Sequence, residues 1–287
     1  MGGPGQIHLY TEDEAAANAA LALARTELER LEAKYSRYRE DSLLSRINRA
    51  SGAVTVDEET AGLLDFAAQA YAHSGGLFDP TSGVLREIWD FRTGRRPEPA
   101  ELEAVLPRIG WSQLSWSRPR ISLPAGMQLD LGGCVKEYAA DALAGLLRRQ
   151  GFAHGLVNLA GDIAVVGPHP DGSAWQVGVQ HPRRAGEPIA QIPLAAGALA
   201  SSGDYERYFE HDGQRYCHIL NPRTGWPAQG FAAVSVAAPQ CLIAGVACTV
   251  GMLLGPPEAE RWLDETGLAW LAVTAEGALR GRLRSPI

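Results

Sequence analysis

Leu156-Val157-Asn158-Leu159-Ala160-Gly161-Asp162-Ile163-Ala164-Val165-Val166 is the stretch whose reading decides the fold. Two apolar runs of strand length are joined by a connection too short for a helix, so it reads as two hairpin-linked strands. The pattern continues beyond it. Residues 175–180, 189–193, 216–220 and 233–237 also alternate or run apolar like strands, most of them with hairpin-length turns between. Helices frame this block. Residues 135–150 read as a helix stopped by Gly151, and an apolar, small-residue helix covers about 242–254. A further helix near 258–265 and strands at 269–274 and 279–283 follow.

The N-terminal half adds a strand at 6–10 and a long amphipathic helix over 15–34, opened by a Thr11-x-x-Glu14 capping box. Asp57 caps a second helix that stops at Gly75-Gly76, and a short helix covers 100–106. Alternation at 114–116, 121–123 and 127–131 predicts three strands, with a turn at Arg118-Pro119. Interleaved helices with hairpin-joined strands point to an α+β protein, with mixed or antiparallel sheets and packed helices, rather than a doubly wound parallel sheet. The expected organisation is one domain over 1–287, with a subdomain break at the linker-like residues 92–100.

Composition bounds the function. Of 287 residues, 46% are hydrophobic and 21% charged, the profile of a globular protein. The 26 basic and 33 acidic residues give a net charge of −7, which argues against nucleic acid and anionic membranes as partners. No run of about 18 apolar residues could span a bilayer. The sequence as written shows no secretory signal, so the expected compartment is the cytoplasm, or the periplasm for a chain whose leader was trimmed. The four cysteines, at 134, 217, 241 and 248, are too sparse for a disulfide scaffold. They read first as small buried apolar residues. A second reading gathers Cys134, Cys217 and Cys248 around one pocket.

Four segments hold polar and glycine residues that a packed core would not demand: 36–48, 75–81, 129–136 with 158–162, and 201–205 with 218–225. The third has a mechanism readable by itself. Asp130 ends an apolar run, Gly132-Gly133 let a ligand approach the backbone, and a helix with Lys136 in its first turn begins at once. Such a helix start favours a phosphate-like anion. The plain alternative is a tight turn with a solvated lysine. Asp79-Pro80-Thr81 alone reads as an Asx turn, and His218 as a core histidine.

Taken in order, these residues resemble the FAD:protein FMN transferases, the ApbE-type flavin transferases. The resemblance rests on Met1-Gly2, Ser36-Arg37-Tyr38 with Asp41-Ser42 and Asn48, Phe78-Asp79-Pro80-Thr81, and Trp89-x-Phe91. It continues through Asp130-Leu131-Gly132-Gly133 with Lys136, 158–162, Ser202-Gly203-Asp204-Tyr205, and His218-Ile219 with Pro222-Arg223-Thr224-Gly225. It implies a T-fold-like α+β architecture that binds FAD, splits its pyrophosphate, passes FMN to a Thr or Ser of an acceptor protein and releases AMP. By the same similarity Met1, Tyr38, Leu77, Phe78, Asp79, Asp130, Lys136 and Ile219 are expected FAD contacts. His218 and Asp204 are the expected catalytic pair. Magnesium is expected on the Gly133 carbonyl and Thr249.

The sequence departs from the family pattern twice. Gly245 stands where the resemblance implies a metal-binding Asp, and Cys248 where a second polar ligand often sits. A thiol suits a hard cation poorly. Glu137 follows Lys136 where the family usually has Gly, and is expected to crowd or repel the phosphates. Gly245→Asp is the change expected to restore an oxygen ligand beside Thr249. The alternative function is an FAD-binding member that carries or uses the flavin without transferring FMN.

Overall fold

Residues 3–283 are described in a computed structural model of the chain. The chain forms two compact units, each assembled from separated stretches: up to 32, 134–203 and from 230 onward in the first, 33–133 and 204–229 in the second. The linker-like residues 92–100 fall inside the second unit.

The first unit contains, in chain order, β1 (Gly5–Leu9), α1 (Glu14–Tyr35, its last residues counted with the second unit), α2 (Val135–Arg149), β2 (Gly155–Leu159) and β3 (Asp162–Gly167). Then come β4 (Trp175–Gln180), β5 (Pro188–Leu194), β6 (Ala198–Gly203), β7 (Phe231–Ala238), α3 (Cys241–Leu254), α4 (Glu258–Glu265), β8 (Ala269–Thr274) and β9 (Leu279–Gly281). Seven strands form one sheet in the order β1-β2-β3-β6-β7-β8-β9, with every neighbouring pair antiparallel. Strands β4 and β5 pair as a separate hairpin.

The β2–β3 hairpin closes through Ala160 (φ 52°) and Gly161 (φ 94°). Two positive φ values in a two-residue loop match the twist of the flanking strands, and the Asn158 side chain accepts the Gly161 N–H at 2.8 Å. Alternation then assigns the faces. Ile163 and Val165, with Leu156, Leu199 and Leu271, meet Val177, Val179, Ala190, Ile192 and Leu194 of the β4–β5 hairpin. Asp162, Ala164 and Val166 therefore point to the opposite face, where α2 packs on β2 and β3 and α3 packs on β6 and β7.

Strand β6, Ala-Leu-Ala-Ser-Ser-Gly, lies at the centre of the sheet but was not legible as a strand, because it has no β-branched or aromatic residue. Its small residues admit α3, and Cys248 donates its thiol to the Ala200 carbonyl at 3.2 Å. At the start of α1 the cap is Asp13, whose Oδ1 accepts the Ala16 N–H at 2.9 Å, rather than Thr11, which holds the Asp13 N–H at 3.1 Å.

The second unit holds helices at Leu43–Arg49, Glu58–His73 and Pro99–Val105, a three-stranded sheet (Val54–Thr55, Arg120–Ser122, Ser115–Ser117) and a hairpin of Tyr208–His211 with Gln214–Cys217. The helix from Leu43 was not anticipated, although Ser42 caps it by accepting the Ser45 N–H at 3.0 Å. Trp89 centres the core. Its ring stacks on Phe91 at 5.7 Å and meets Trp226 edge-on at 5.4 Å, while its Nε1 donates to the Gly225 carbonyl at 2.8 Å.

Two expected strands differ here. Residues 127–131 join no ladder beyond a single Ser82–Gln128 bridge. The Asn48 amide takes the place of a neighbouring strand: its Oδ1 accepts the Leu129 N–H at 2.7 Å and its Nδ2 donates to the Leu129 carbonyl at 2.9 Å. The strand expected at 216–220 ends at Cys217, and Leu220 instead bridges Pro227.

All four cysteines are buried and none is in a disulfide. Burial pushes the Cys217 thiol up to about 11 and raises Cys241 and Cys248 further. Only a thiolate reacts quickly. Iodoacetamide at pH 7.5 should therefore label the native protein slowly and reach all four thiols after denaturation. Fast native labelling, read by intact mass, would contradict this burial.

The start of α3 has no cap from its own preceding residue, Gln240. Asp141 of α2 supplies one, accepting the Cys241 and Leu242 N–H groups at 2.8 and 3.0 Å. Asp141→Ala should cost about 1–2 kcal/mol in urea denaturation, the scale of a lost N-cap. Asp141→Asn, which keeps one acceptor oxygen, should cost less.

Candidate functional site

The expected site residues fall into two groups, one in each unit. In the first unit, Lys136 stands in the first turn of α2 and forms an ion pair with Asp162 of β3, its partner on the helix-facing side of the sheet. Asp162 is 1% exposed. Its Oδ1 accepts the Ser201 N–H at 3.2 Å, whereas Oδ2 receives the ammonium charge without a directional hydrogen bond. Glu137, the next residue of α2, places Oε1 3.4 Å from the Lys136 ammonium. Lys136 is thus held between two carboxylates with one-third of its side chain still exposed, and it also lines a recess of about 140 Å³ with Gly3, Pro4, Leu28, Leu159 and Ala160.

Glu137 does not extend toward solvent. It is 7% exposed and lies against Gly245 of α3, where an added Cβ would come within 2.4 Å of Glu137 Cγ and 3.0 Å of its Cδ. Gly245→Asp, expected to restore an oxygen ligand beside Thr249, would therefore set its side chain against Glu137. Of its neighbours, Thr249 Oγ1 donates its proton to the Gly245 carbonyl at 3.1 Å and keeps its lone pairs, and the Cys248 thiol donates to the Ala200 carbonyl.

In the second unit, Asp130 is fixed before any ligand arrives. Arg37 Nη1 donates to its Oδ2 at 2.7 Å, Arg86 Nε lies 3.3 Å away, and the Gly132 N–H donates to Oδ1 at 2.8 Å. Gly83 is required behind it, because a Cβ there would fall 2.6 Å from Asp130 Cβ. Sequence reading quoted Arg37 only as a neighbour of Tyr38; its position in the polar 36–48 segment was the available signal. Arg86 gave none.

The 77–81 loop is an Asx turn. Asp79 Oδ1 accepts the Thr81 N–H and hydroxyl at 2.8 and 2.6 Å, and Oδ2 accepts the Trp111 N–H at 3.1 Å. Burial raises the Asp79 carboxyl above the usual range against these bonds. Leu77 and Phe78 are buried, and the Phe78 ring lies where a side chain at Gly133 would touch it at 3.4 Å. Tyr38 is the opposite case, an aromatic ring 80% exposed.

Asp204 pairs with Arg215 at 3.5 Å, and Arg215 also stacks 3.9 Å over the Tyr208 ring. His218 is half-buried, with its backbone N–H on the Arg207 carbonyl at 3.0 Å; Ile219 is buried and accepts the Ala228 N–H at 2.8 Å. Met1 lies outside the described residues. Among the described residues, no group of three or more His, Cys, Asp or Glu side chains converges as a ready metal cage. No described helix is long and apolar enough to cross a membrane.

The first unit thus offers a fixed cation flanked by buried carboxylates. The second offers a pinned acidic turn with two glycines, and an exposed aromatic ring. A cation at a helix start is chemistry suited to a phosphate, and an exposed aromatic ring is chemistry suited to stacking.

The chain is 33% identical over 274 residues to an FAD:protein FMN transferase of Treponema pallidum, covering 87% of this chain and 75% of that one. It is 31% identical over 260 residues to the Salmonella typhimurium protein of the same name, covering 84% and 73%. The crystal structure of an ApbE protein from Thermotoga maritima superposes with a TM-score of 0.91 at 31% identity, covering 98% of this chain and 94% of that one. Pseudomonas stutzeri flavinyl transferase ApbE in its apo form gives a TM-score of 0.86 at 29% identity, covering 98% and 92%. With residues 1–272 matching the ApbE family as a whole, the chain belongs to that family.

Proposed function

We propose that this chain is a flavin transferase that cleaves FAD, attaches FMN to a Ser or Thr hydroxyl of an acceptor protein and releases AMP. The observation that carries the reading, within an ApbE-family chain, is Lys136. The Gly132-Gly133 turn leads straight into its helix, and Asp162 fixes the ammonium against the sheet.

In this reading Lys136 and the N–H groups of the 130–135 segment bind the pyrophosphate, and Tyr38 offers its exposed ring to a flavin or adenine face. Leu77 and Phe78 wall the glycine turn, while Asp79 shapes the loop and Asp130 orients the turn through Gly132. Ile219 adds an apolar contact. The acceptor oxygen forms a bond to the FMN phosphorus as the phosphoanhydride bond to AMP breaks. The hydroxyl proton passes to His218, with Asp204 holding the adjacent loop through Arg215.

A divalent cation fits the residues present. Hard cations take oxygen ligands, and α2 carries a buried carboxylate oxygen, Glu137 Oε2, with no hydrogen-bond partner. Thr249 and the Gly133 carbonyl are the other expected donors. When bound, the ion supplies charge neutralisation for the departing phosphate.

The test is incubation with FAD, magnesium and an acceptor peptide carrying a Ser-Gly-Ala-Thr site, followed by in-gel fluorescence and chromatography of AMP. A fluorescent peptide with equimolar AMP is expected; bound FAD that stays intact would support the carrier alternative. FAD should bind more tightly than FMN in calorimetry, since FMN leaves part of the pyrophosphate site unfilled. Lys136→Ala should weaken FAD by about 1–3 kcal/mol, the scale of a lost charge-assisted contact. The loss should shrink with added salt, because Lys136 remains one-third exposed.

A further inference from the structure

Glu137 and Gly245 occupy one space between α2 and α3. The Glu137 side chain crosses to α3 at the residue without a Cβ, and it fits only for that reason: a Cβ at 245 would stand 2.4 Å from Glu137 Cγ and 3.3 Å from its Oε1. Ordinary carbon contacts lie near 3.5–4.0 Å, so the two positions cannot both carry side chains in this geometry.

The carboxylate delivered there is not satisfied. Oε1 lies 3.4 Å from the Lys136 ammonium, which Asp162 already holds, while Oε2 is buried without a hydrogen bond. The three side chains together carry two negative charges and one positive. Nearby groups do not offset the excess. Both oxygens of Asp141, the next carboxylate along α2, already accept N–H groups from the start of α3. A buried carboxylate oxygen left unpaired is costly unless something positive meets it. A solvated surface glutamate would have been free to turn outward; this one is locked inward by packing.

We infer that Glu137 is a divalent-cation ligand of this chain, its carboxylate reaching from α2 into the space that Gly245 leaves open on α3, with Asp162 as the neighbouring carboxylate. The ligand class is a hard ion such as Mg²⁺ or Mn²⁺, because the unsatisfied atom is a carboxylate oxygen. This rests on the flavin-transfer reading only for the purpose of the ion. The site itself rests on the steric complement and the orphaned oxygen.

Mn²⁺ binding, followed by the loss of its free electron paramagnetic resonance signal with and without FAD, tests the assignment. Wild type should take up one Mn²⁺. Glu137→Gln, which keeps the shape and removes the charge, should weaken uptake at least about tenfold, within the range of disrupted metal sites. Gly245→Asp alone should lower the melting temperature by collision with Glu137. The exchange Glu137→Gly with Gly245→Asp should recover most of both the melting temperature and the Mn²⁺ affinity.

Unchanged Mn²⁺ affinity in Glu137→Gln, or a Gly245→Asp variant as stable as wild type, would overturn the inference. Should Glu137→Gln fail to fold, the exchange variant decides: folded protein that takes up no Mn²⁺ also overturns it. Wild type that binds FAD but no Mn²⁺ refutes this site and leaves the flavin reading standing. Wild type that binds Mn²⁺ but not FAD does the reverse.

Discussion

The first unit depends on the close approach of the Cys241–Leu254 helix to the sheet. That helix is almost wholly buried, and it meets the sheet at Cys248 and Gly251. Small residues let the backbones come near enough for a thiol to donate to the Ala200 carbonyl at 3.2 Å. At Gly251 an added Cβ would stand 3.2 Å from both Leu263 and Val234. The same closeness brings the Val135–Arg149 helix alongside, so that its Asp141 reaches the first N–H groups of the buried helix and its Glu137 reaches Gly245. A larger residue at 245 or 251 would separate these layers, and with them the charged residues at 136, 137 and 162.

Much of this was legible in the sequence. Period-two patterning located most strands, and the short connection between residues 159 and 163 marked the hairpin by its length alone. What escaped had physical reasons. The Ala198–Gly203 strand is built of small residues that suit a crowded centre and carry no strand preference. Residues 127–131 alternate like a strand but are held by one asparagine side chain, a long-range arrangement that no local pattern encodes. Capping by Asp141 across about a hundred residues is equally silent.

The candidate site shows the same division. Residue types near the glycine turn pointed to an anion, and the ordered motifs pointed to the family. Their electrostatic neighbours did not follow. Asp130 has two arginine partners, Arg37 and Arg86, drawn from different parts of the chain. Position 245 read as a loss because spacing alone cannot show that a side chain 108 residues earlier fills the same volume. Pairwise packing holds this information, and it becomes visible only when both residues are placed.

The strand order has a consequence for synthesis. The strand at Phe231–Ala238 lies inside the large sheet, between Ala198–Gly203 and Ala269–Thr274. A nascent chain that has emerged only to residue 230 therefore has four of the seven strands and an open edge at the centre of the future sheet. Exposed edges of this kind pair readily with other chains. Apart from Leu199 the edge residues here are Ala, Ser and Gly, which give an intermolecular partner little side-chain surface to grip. The composition that hid this strand from sequence reading also makes the half-made sheet a poor template for aggregation on the ribosome.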